Sequence, residues 1–97
     1  MLNIIKTKEG DALNVALEGR LDTASAPDLE EALNGKLSEI DTLVFDFSKL
    51  DYISSAGLRV LLSAHKRMSG GMKVTHVNEI VQEVFEVTGF SDILTIE

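Results

Sequence analysis

Residues 51–59 read DYISSAGLR, and within them a strand-like apolar run gives way to a helical pattern. Ser54 and Ser55 lie at that change. The first backbone N–H groups of a helix have no intrahelical acceptor, so a serine hydroxyl there can cap the helix, and the same N–H groups suit a phosphate. Gly57 falls in the first helical turn, where glycine lowers helix propensity but allows another group to approach the backbone closely. The stretch therefore predicts a strand–helix junction that is either a structural cap or a functional site.

Strand and helix patterns alternate on both sides of this junction. We expect strands at 2–5, 13–17, 43–47, 72–77 and 93–96, a turn at 9–11, a loop at 19–22, and helices from about 26 to 37, from about 56 to the Gly70-Gly71 pair, and from Asn78 to Gly89. The alternation predicts one α/β domain over residues 1–97. Its sheet should have four to five mostly parallel strands, with an N-terminal antiparallel hairpin at one side and three or more helices.

Apolar spacing predicts which side of each element is buried. Leu29, Leu33 and Leu37 recur every fourth residue and should form a buried stripe on the first helix, which Ser25 is expected to cap. The nearly continuous run at 43–47 is typical of a central strand covered on both faces. In the third helix, the apolar residues that we expect on one side are Ile80, Val84 and Val87.

Charge and composition exclude several classes of function. The net charge of −7 is unfavourable for binding nucleic acid or an anionic membrane. The one basic cluster, at 65–67, falls in the last turn of a predicted helix, where cations complement the helix dipole. The chain has no cysteine, so disulfides and thiolate metal sites are excluded. Since no signal peptide or spanning apolar run is evident, we expect a cytoplasmic protein.

Catalytic interpretations of the serine pair find little support. A nucleophile elbow reads G-x-S-x-G, and with Ser55 as nucleophile the first glycine position is occupied by Ile53. No phosphate-binding G-x-x-x-x-G-K-[ST] loop is present. Asp22 and Asp46 either satisfy nearby backbone groups or line a shared surface near Ser55, and too few ligands accompany them for a metal site. We therefore expect no enzyme activity, no cofactor and no metal.

Three motifs in order resemble a known family. GRLD at 19–22, LVFDF at 43–47 and YISSAGL at 52–58 resemble bacterial STAS domains, in particular the free-standing anti-sigma factor antagonists, and the resemblance runs from about Leu2 to the C-terminus. The usual family core is Asp-Ser-Ser/Thr-Gly-Leu, in which the serine after the aspartate is phosphorylated. Ser55 matches that serine, with Ser54 in place of the aspartate and Ala56 in place of the second hydroxyl residue.

The resemblance implies a partner-switching mechanism. The unphosphorylated protein would bind an anti-sigma factor that is also a serine kinase, and so free a sigma factor; phosphorylation of Ser55, or alternatively Ser54, would release the kinase, and a PP2C-like phosphatase would reset the switch. The residues expected at the partner surface are Asp22, Asp46, Ser54, Ser55, Ala56, Gly57, Leu58 and Arg59. An alternative role within the same family is a scaffold or regulatory subunit of a transporter, lipid-transport or stressosome-like assembly.

Overall fold

A computed structural model of the chain describes residues 2–69 and 71–97. In chain order its elements are β1 (Leu2–Glu9), β2 (Ala12–Leu21), α1 (Ala26–Leu33), β3 (Thr42–Ile53), α2 (Ser55–Met68), β4 (Met72–Thr75), α3 (Glu79–Thr88) and β5 (Thr95–Ile96). Short 3₁₀ turns lie at Leu37–Glu39 and Phe90–Asp92. The alternation of strands and helices that the sequence predicts is confirmed.

The strands form one mixed sheet in the order β1-β2-β3-β4-β5. The first two pair antiparallel as an N-terminal hairpin at one side, and all the later pairs are parallel. The predicted fold class is therefore confirmed. Because each parallel crossover leads to the next strand in the same direction, right-handed connections place the crossover helices on one face of the sheet.

Contacts of β1 and β3 with the helices identify that covered face. The rings of Phe47 in β3 and Phe85 in α3 lie 6.3 Å apart, and Lys6 of β1 donates to the Ala32 carbonyl of α1 at 3.3 Å. The strand side chains that are buried beneath the helices include Leu13, Val15, Leu17, Leu43, Phe45, Phe47, Met72 and Val74. Val44 and Asp46, on the other face, are only half-buried. The expectation that the central strand is covered on both faces is therefore wrong, since the helices share one side.

The first helix is shorter than the spacing of its leucines predicts. It ends at Leu33 because Asn34 adopts an extended backbone with ψ 123°, and Gly35 then turns the chain further with a left-handed φ of 76°. Leu37 lies in the following 3₁₀ turn, yet Leu29, Leu33 and Leu37 are all buried, so the predicted stripe is confirmed although it spans two elements.

Several strand boundaries differ from those expected: β1 continues to Glu9, β3 runs from Thr42 to Ile53, and β5 begins only at Thr95. Residues 19–21 continue β2 instead of forming a loop, because Gly19 and Leu21 pair with Leu50 and Ile53 of the long β3. The fourth strand ends at Thr75, since the next residue adopts a left-handed φ of 58°.

The side of α3 that packs against the core differs from the predicted side. Asn78 caps it by accepting the Val81 N–H at 2.8 Å, and Gly89 ends it at φ 80°, as predicted. Val81 and Phe85, however, are its buried residues. Burying the large Phe85 ring is favoured over burying the smaller Val87, and Ile80 and Val87 are consequently 60% and 77% exposed.

Candidate functional site

The serine pair lies where β3 passes into α2. Ser54 is the N-cap residue of the helix with an extended backbone, and Ser55 is the first helical residue. The Ser54 N–H donates to the Leu21 carbonyl at 2.9 Å, and the Ser54 carbonyl accepts from the Leu58 N–H at 3.0 Å. The junction is therefore fixed on one side to the end of β2 and on the other to the first turn of the helix.

The two hydroxyl groups have opposite surroundings. The Ser54 hydroxyl oxygen has almost no solvent-accessible area and no hydrogen-bond partner among the described residues. Ser55, in contrast, is exposed. The Ser54 side chain accepts no N–H of the helix, and the first turn of α2 contains no acidic residue. The predicted hydroxyl cap is therefore absent at Ser54, and the N-terminal end of the helix has no acidic or capping side chain of its own.

Gly57 has a packing role in this junction. A Cβ atom at position 57 would lie 2.7 Å from Cγ of Leu21 and 2.9 Å from Cγ1 of Ile53. Carbon atoms in ordinary contact lie about 3.5–4.0 Å apart, so only glycine allows the first turn of α2 to approach the ends of β2 and β3 this closely. The close approach that the sequence suggests at Gly57 is thus to core side chains.

Asp22 is held by the turn that precedes α1. Its Oδ1 accepts the backbone N–H groups of Ala24 and Ser25, each at 3.1 Å. The bond from the Ser25 N–H is the largest of the effects that lower the pKa of Asp22 below its usual range. Asp22 thus serves as a structural acceptor here.

Ser25 does not cap α1 in the way expected. Its hydroxyl donates to the Arg20 carbonyl at 2.7 Å and accepts the Asp22 N–H at 2.9 Å, so it points back toward β2. The backbone of Ser25 is already helical, and its side chain accepts no bond from α1. The side-chain acceptor of this turn is therefore Asp22, which the spacing from α1 did not indicate.

Two arginines lie near the serine junction. The Arg20 guanidinium carbon is 4.6 Å from the centre of the Tyr52 ring, a cation–π contact between paired residues of β2 and β3. Arg59 is exposed one turn after Ser55, on the same side of α2. In the described part of the chain Arg59 makes no salt bridge. The stacking of Arg20 on Tyr52 could not be foreseen, because it depends on the register between the two strands.

Asp46 belongs to a different part of the sheet. It pairs with Ala16 near the middle of β2 and with Thr75 at the end of β4, on the face opposite the helices. Its Oδ1 accepts the Ser48 N–H at 3.0 Å and lies 3.1 Å from Nδ1 of His76. The Ser48 bond is the largest cause of its lowered pKa, and His76 lowers the pKa further.

Asp46 consequently lies away from the serine junction. Ser54 lies eight positions after Asp46 in the chain, a path of up to roughly 26 Å in an extended strand. The structure therefore brings Asp22 close to the junction, through Leu21, and leaves Asp46 with His76 instead. His76 could have been found only from the pairing of β3 with β4.

Neither histidine forms a hydrogen bond with Ser54 or Ser55 in the described part of the chain. His65 lies ten residues after Ser55 along α2, roughly 15 Å by helical rise, and the other histidine is paired with Asp46. Within residues 2–69 and 71–97, no three His, Asp or Glu side chains are grouped closely enough to hold a metal ion. None of the helices described here is long and apolar enough to cross a membrane.

Comparison with known proteins identifies the family. The sequence profile of the STAS domain matches residues 3–97. The chain belongs to the STAS domain family. Among STAS relatives, BtrV of Bordetella bronchiseptica, named as an anti-sigma factor antagonist, is 36% identical over 88 residues, which cover 87% of this chain and 76% of BtrV.

Solved structures of STAS proteins share the fold. An anti-sigma factor antagonist from Mycobacterium paratuberculosis aligns with a TM-score of 0.89 at 20% identity, over 99% of this chain and 85% of that one. The Bacillus cell fate determinant SpoIIAA in its phosphorylated form aligns with a TM-score of 0.77 at 14% identity, over 98% of this chain and 91% of SpoIIAA. At these identities the likeness establishes the STAS fold alone.

Proposed function

We propose that this STAS domain protein is an anti-sigma factor antagonist that works by partner switching at Ser55. The observation that carries the proposal is the contrast at the junction, where the Ser55 hydroxyl is exposed at the first residue of α2 and the neighbouring Ser54 hydroxyl is buried. The name of BtrV supports the class of partner, an anti-sigma factor. The proposal places the protein in the cytoplasm, where ATP and sigma factors are present.

Accessibility favours Ser55 over Ser54 as the phosphoacceptor. A kinase must bring the γ-phosphate of ATP to the hydroxyl oxygen, and the Ser54 oxygen has almost no accessible area. In the proposed step the γ-phosphoryl group passes to Oγ of Ser55, ADP leaves, and the hydroxyl proton is released to the kinase. A PP2C-like phosphatase then hydrolyses the ester to inorganic phosphate and the free hydroxyl.

The environment of Ser55 suits a phosphate without refolding. The free N–H groups of the first turn of α2 and the dipole of the helix favour an anion at this end. Arg59 is exposed one turn later and makes no salt bridge among the described residues, so its guanidinium is available to a phosphate on Ser55. That SpoIIAA has been solved in a phosphorylated form supports the compatibility of the fold with a phosphate.

The same phosphate would weaken a protein contact across this surface. It adds about −1.5 to −2 charges at neutral pH, which an interface must either pair or leave in water. A loss of about 1.4 kcal/mol lowers affinity tenfold, so one imperfectly paired phosphate is sufficient to reverse the choice of partner. Phosphorylation would thus act on the complex and leave the domain intact.

The proposed contact surface can be divided by burial. Ser55, Ala56 and Arg59 have accessible side chains at the start of α2, and Asp22 lies beside them at the end of β2. Ser54, Gly57 and Leu58 have their side-chain positions inside the junction and would act by supporting this surface. Asp46 would contact the same partner only if the interface extends across the open face of the sheet.

Affinity purification from cells of the source organism tests the proposed function. Unmodified protein and the Ser55→Asp variant are compared, with Ser54→Ala as the matched control, and the captured proteins are identified by mass spectrometry. We expect an anti-sigma factor kinase with the unmodified protein and with Ser54→Ala, and its loss with Ser55→Asp. Capture of transporter or stressosome-like subunits instead, with equal yield from Ser55→Asp, would favour the scaffold role and refute partner switching.

A further inference from the structure

The third helix presents a second apolar side to solvent. Ile80 is 60% exposed, Val87 is 77% exposed, and Val84 between them is half-buried. Their spacing of four and three residues places all three along one side of α3. Val81 and Phe85, both fully buried, are the residues that α3 contributes to the core. We call Ile80, Val84 and Val87 the α3 stripe.

Exposed apolar side chains are grouped in the α3 stripe and are scattered elsewhere on the surface. Among the described residues four large apolar side chains are strongly exposed, and two of them, Ile80 and Val87, belong to it. Ile5, a third, lies alone on β1 and on the sheet face opposite the helices, as its pairing with Ala16 shows. Single exposed apolar residues are ordinary, whereas an aligned set beside polar residues is typical of a contact surface.

Carboxylates lie alongside the stripe. Glu79, Glu83 and Glu86 fall on the neighbouring side of α3 and line one shallow surface depression. They are spaced four and three residues apart, so they repel one another, and no Lys or Arg within residues 79–88 relieves that repulsion. The fold makes no use of this arrangement, because the helix is held to the sheet by its opposite side.

The charges select the kind of partner that the stripe can bind. A second copy of this chain would bring the same carboxylates together across a symmetric contact, at a net charge of −7 per chain. An anionic membrane surface would be repelled for the same reason. A basic amphipathic helix complements both the apolar stripe and the neighbouring carboxylates. Its apolar side can cover the stripe while its Lys and Arg side chains face the carboxylates.

We propose that α3 is a docking surface for a basic amphipathic helix of a partner protein. The helix packs its apolar side on Ile80, Val84 and Val87, and its cations pair with Glu79, Glu83 and Glu86. The surface belongs to α3, whereas Ser55 begins α2, and the proposal does not depend on phosphorylation. Ser55→Asp should therefore bind the same helix with affinity within about twofold of the unmodified protein.

A designed peptide is the probe for this surface. It is a fluorescent helix of about 18 residues, roughly five turns, with leucines along one side and lysines and arginines on the other. A second peptide has the same composition in an order that scatters the leucines. Anisotropy titration gives the affinity, and amide chemical shifts of the ¹⁵N-labelled protein give the location. We expect the amphipathic peptide to bind more tightly and to shift residues 79–88.

Matched variants separate the stripe from general charge attraction. Val87→Lys and Ile5→Lys each add one positive charge at an exposed apolar position, and we expect about tenfold weaker binding for the first and less than twofold for the second. Glu83→Lys should weaken binding about fivefold, whereas Glu31→Lys on α1, with the same charge change, should weaken it less. All four positions are exposed, so the fold should survive each change.

Several results would overturn the proposal. Equal binding of the scrambled peptide, equal effects of Val87→Lys and Ile5→Lys, or shifts confined to residues outside 79–88 would each show that the stripe is not the site. Sedimentation showing a dimer that Val87→Lys dissociates would assign the stripe to a second copy of the chain. Binding to anionic vesicles that Val87→Lys abolishes would assign it to a membrane. Should a variant fail to fold, the shift map of the unmodified protein still decides.

Discussion

Replacing Gly57 by alanine sets two effects of opposite sign against each other. In an ordinary helix position, alanine stabilises relative to glycine by about 1 kcal/mol. At position 57 the added Cβ would lie 2.7 Å from Cγ of Leu21, 2.9 Å from Cγ1 of Ile53 and 3.0 Å from Cδ2 of Leu21. Ordinary contact requires about 3.5–4.0 Å, so these neighbours must move by roughly 0.5–1 Å.

The buried neighbours have little room for that movement. Leu21 and Ile53 are 0% and 1% exposed, and each ends a strand that anchors the serine junction. Overpacking of a filled core costs about 1–3 kcal/mol. After the gain in helix propensity is subtracted, we expect Gly57→Ala to destabilise the domain by about 1 kcal/mol.

Urea unfolding followed by circular dichroism measures this change. The matched control is Ser63→Ala, at an exposed position of the same helix, which should leave stability unchanged or raise it by a few tenths of a kcal/mol. If Gly57→Ala stabilises the protein as much as Ser63→Ala does, the close approach of α2 to the strand ends does not constrain position 57 and the packing argument fails.

Three further predictions concern polar groups at the serine junction, at the start of α3 and on the open face of the sheet. Ser54→Ala should leave the urea midpoint unchanged or raise it, because the buried hydroxyl has no partner to lose; a loss above about 1 kcal/mol would contradict this. Asn78→Ala removes the cap of α3 and the 2.7 Å hydrogen bond to the Leu50 carbonyl. We expect urea unfolding to show a free energy of unfolding lower by about 2 kcal/mol. A decrease under about 0.5 kcal/mol would show that neither hydrogen bond contributes to stability. The Ser48 N–H lowers the pKa of Asp46 in the folded state. The ionised Asp46 side chain therefore stabilises the folded protein at pH values above its unfolded pKa, near 4, and this stabilisation is lost as the pH falls through the folded-state pKa. In thermal melts between pH 2 and 6, the melting temperature of Asp46→Asn should therefore fall less steeply with decreasing pH than that of the unmodified protein. Equal slopes for the two proteins would argue against this stabilisation by Asp46.

Much of the fold follows from local patterns in the sequence. The N-terminal hairpin and the helix ends at Asn78 and Gly89 follow from local chemistry, such as apolar periodicity, caps and left-handed glycines. Even where α1 stops early, its buried leucines keep their role, because the 3₁₀ turn carries Leu37 back to the core. Local signals of this kind do not depend on which element packs on which.

The errors concern relations between distant elements. The open face of the sheet follows from all the helices lying on one side, which the run at 43–47 alone cannot reveal. The rotation of α3 is decided by Phe85 meeting Phe47, and three apolar residues on the other side gave a competing periodicity. Asp46 is separated from Ser55 by the length of β3, which extends well beyond the apolar run that the sequence shows.

The candidate site was only partly predictable for the same reason. The sequence places Ser54 and Ser55 at a strand–helix junction, and that position is confirmed. Which hydroxyl faces solvent depends on how the junction is anchored to Leu21, and the sequence does not contain that contact explicitly. The assignment of Ser55 as phosphoacceptor stays a prediction, now supported by the exposure of one hydroxyl and the burial of the other.

The most direct test of partner switching is the position and effect of one phosphate. Purified protein is incubated with ATP and the anti-sigma factor kinase captured by the unmodified chain, then examined by intact-mass analysis, peptide mapping and a binding titration. We predict a single phosphate on Ser55, none on the Ser55→Ala variant, full modification of Ser54→Ala, and at least about tenfold weaker binding of the phosphorylated protein to the kinase. Phosphate on Ser54, equal labelling of Ser55→Ala, or undiminished binding after modification of Ser55 would contradict the account.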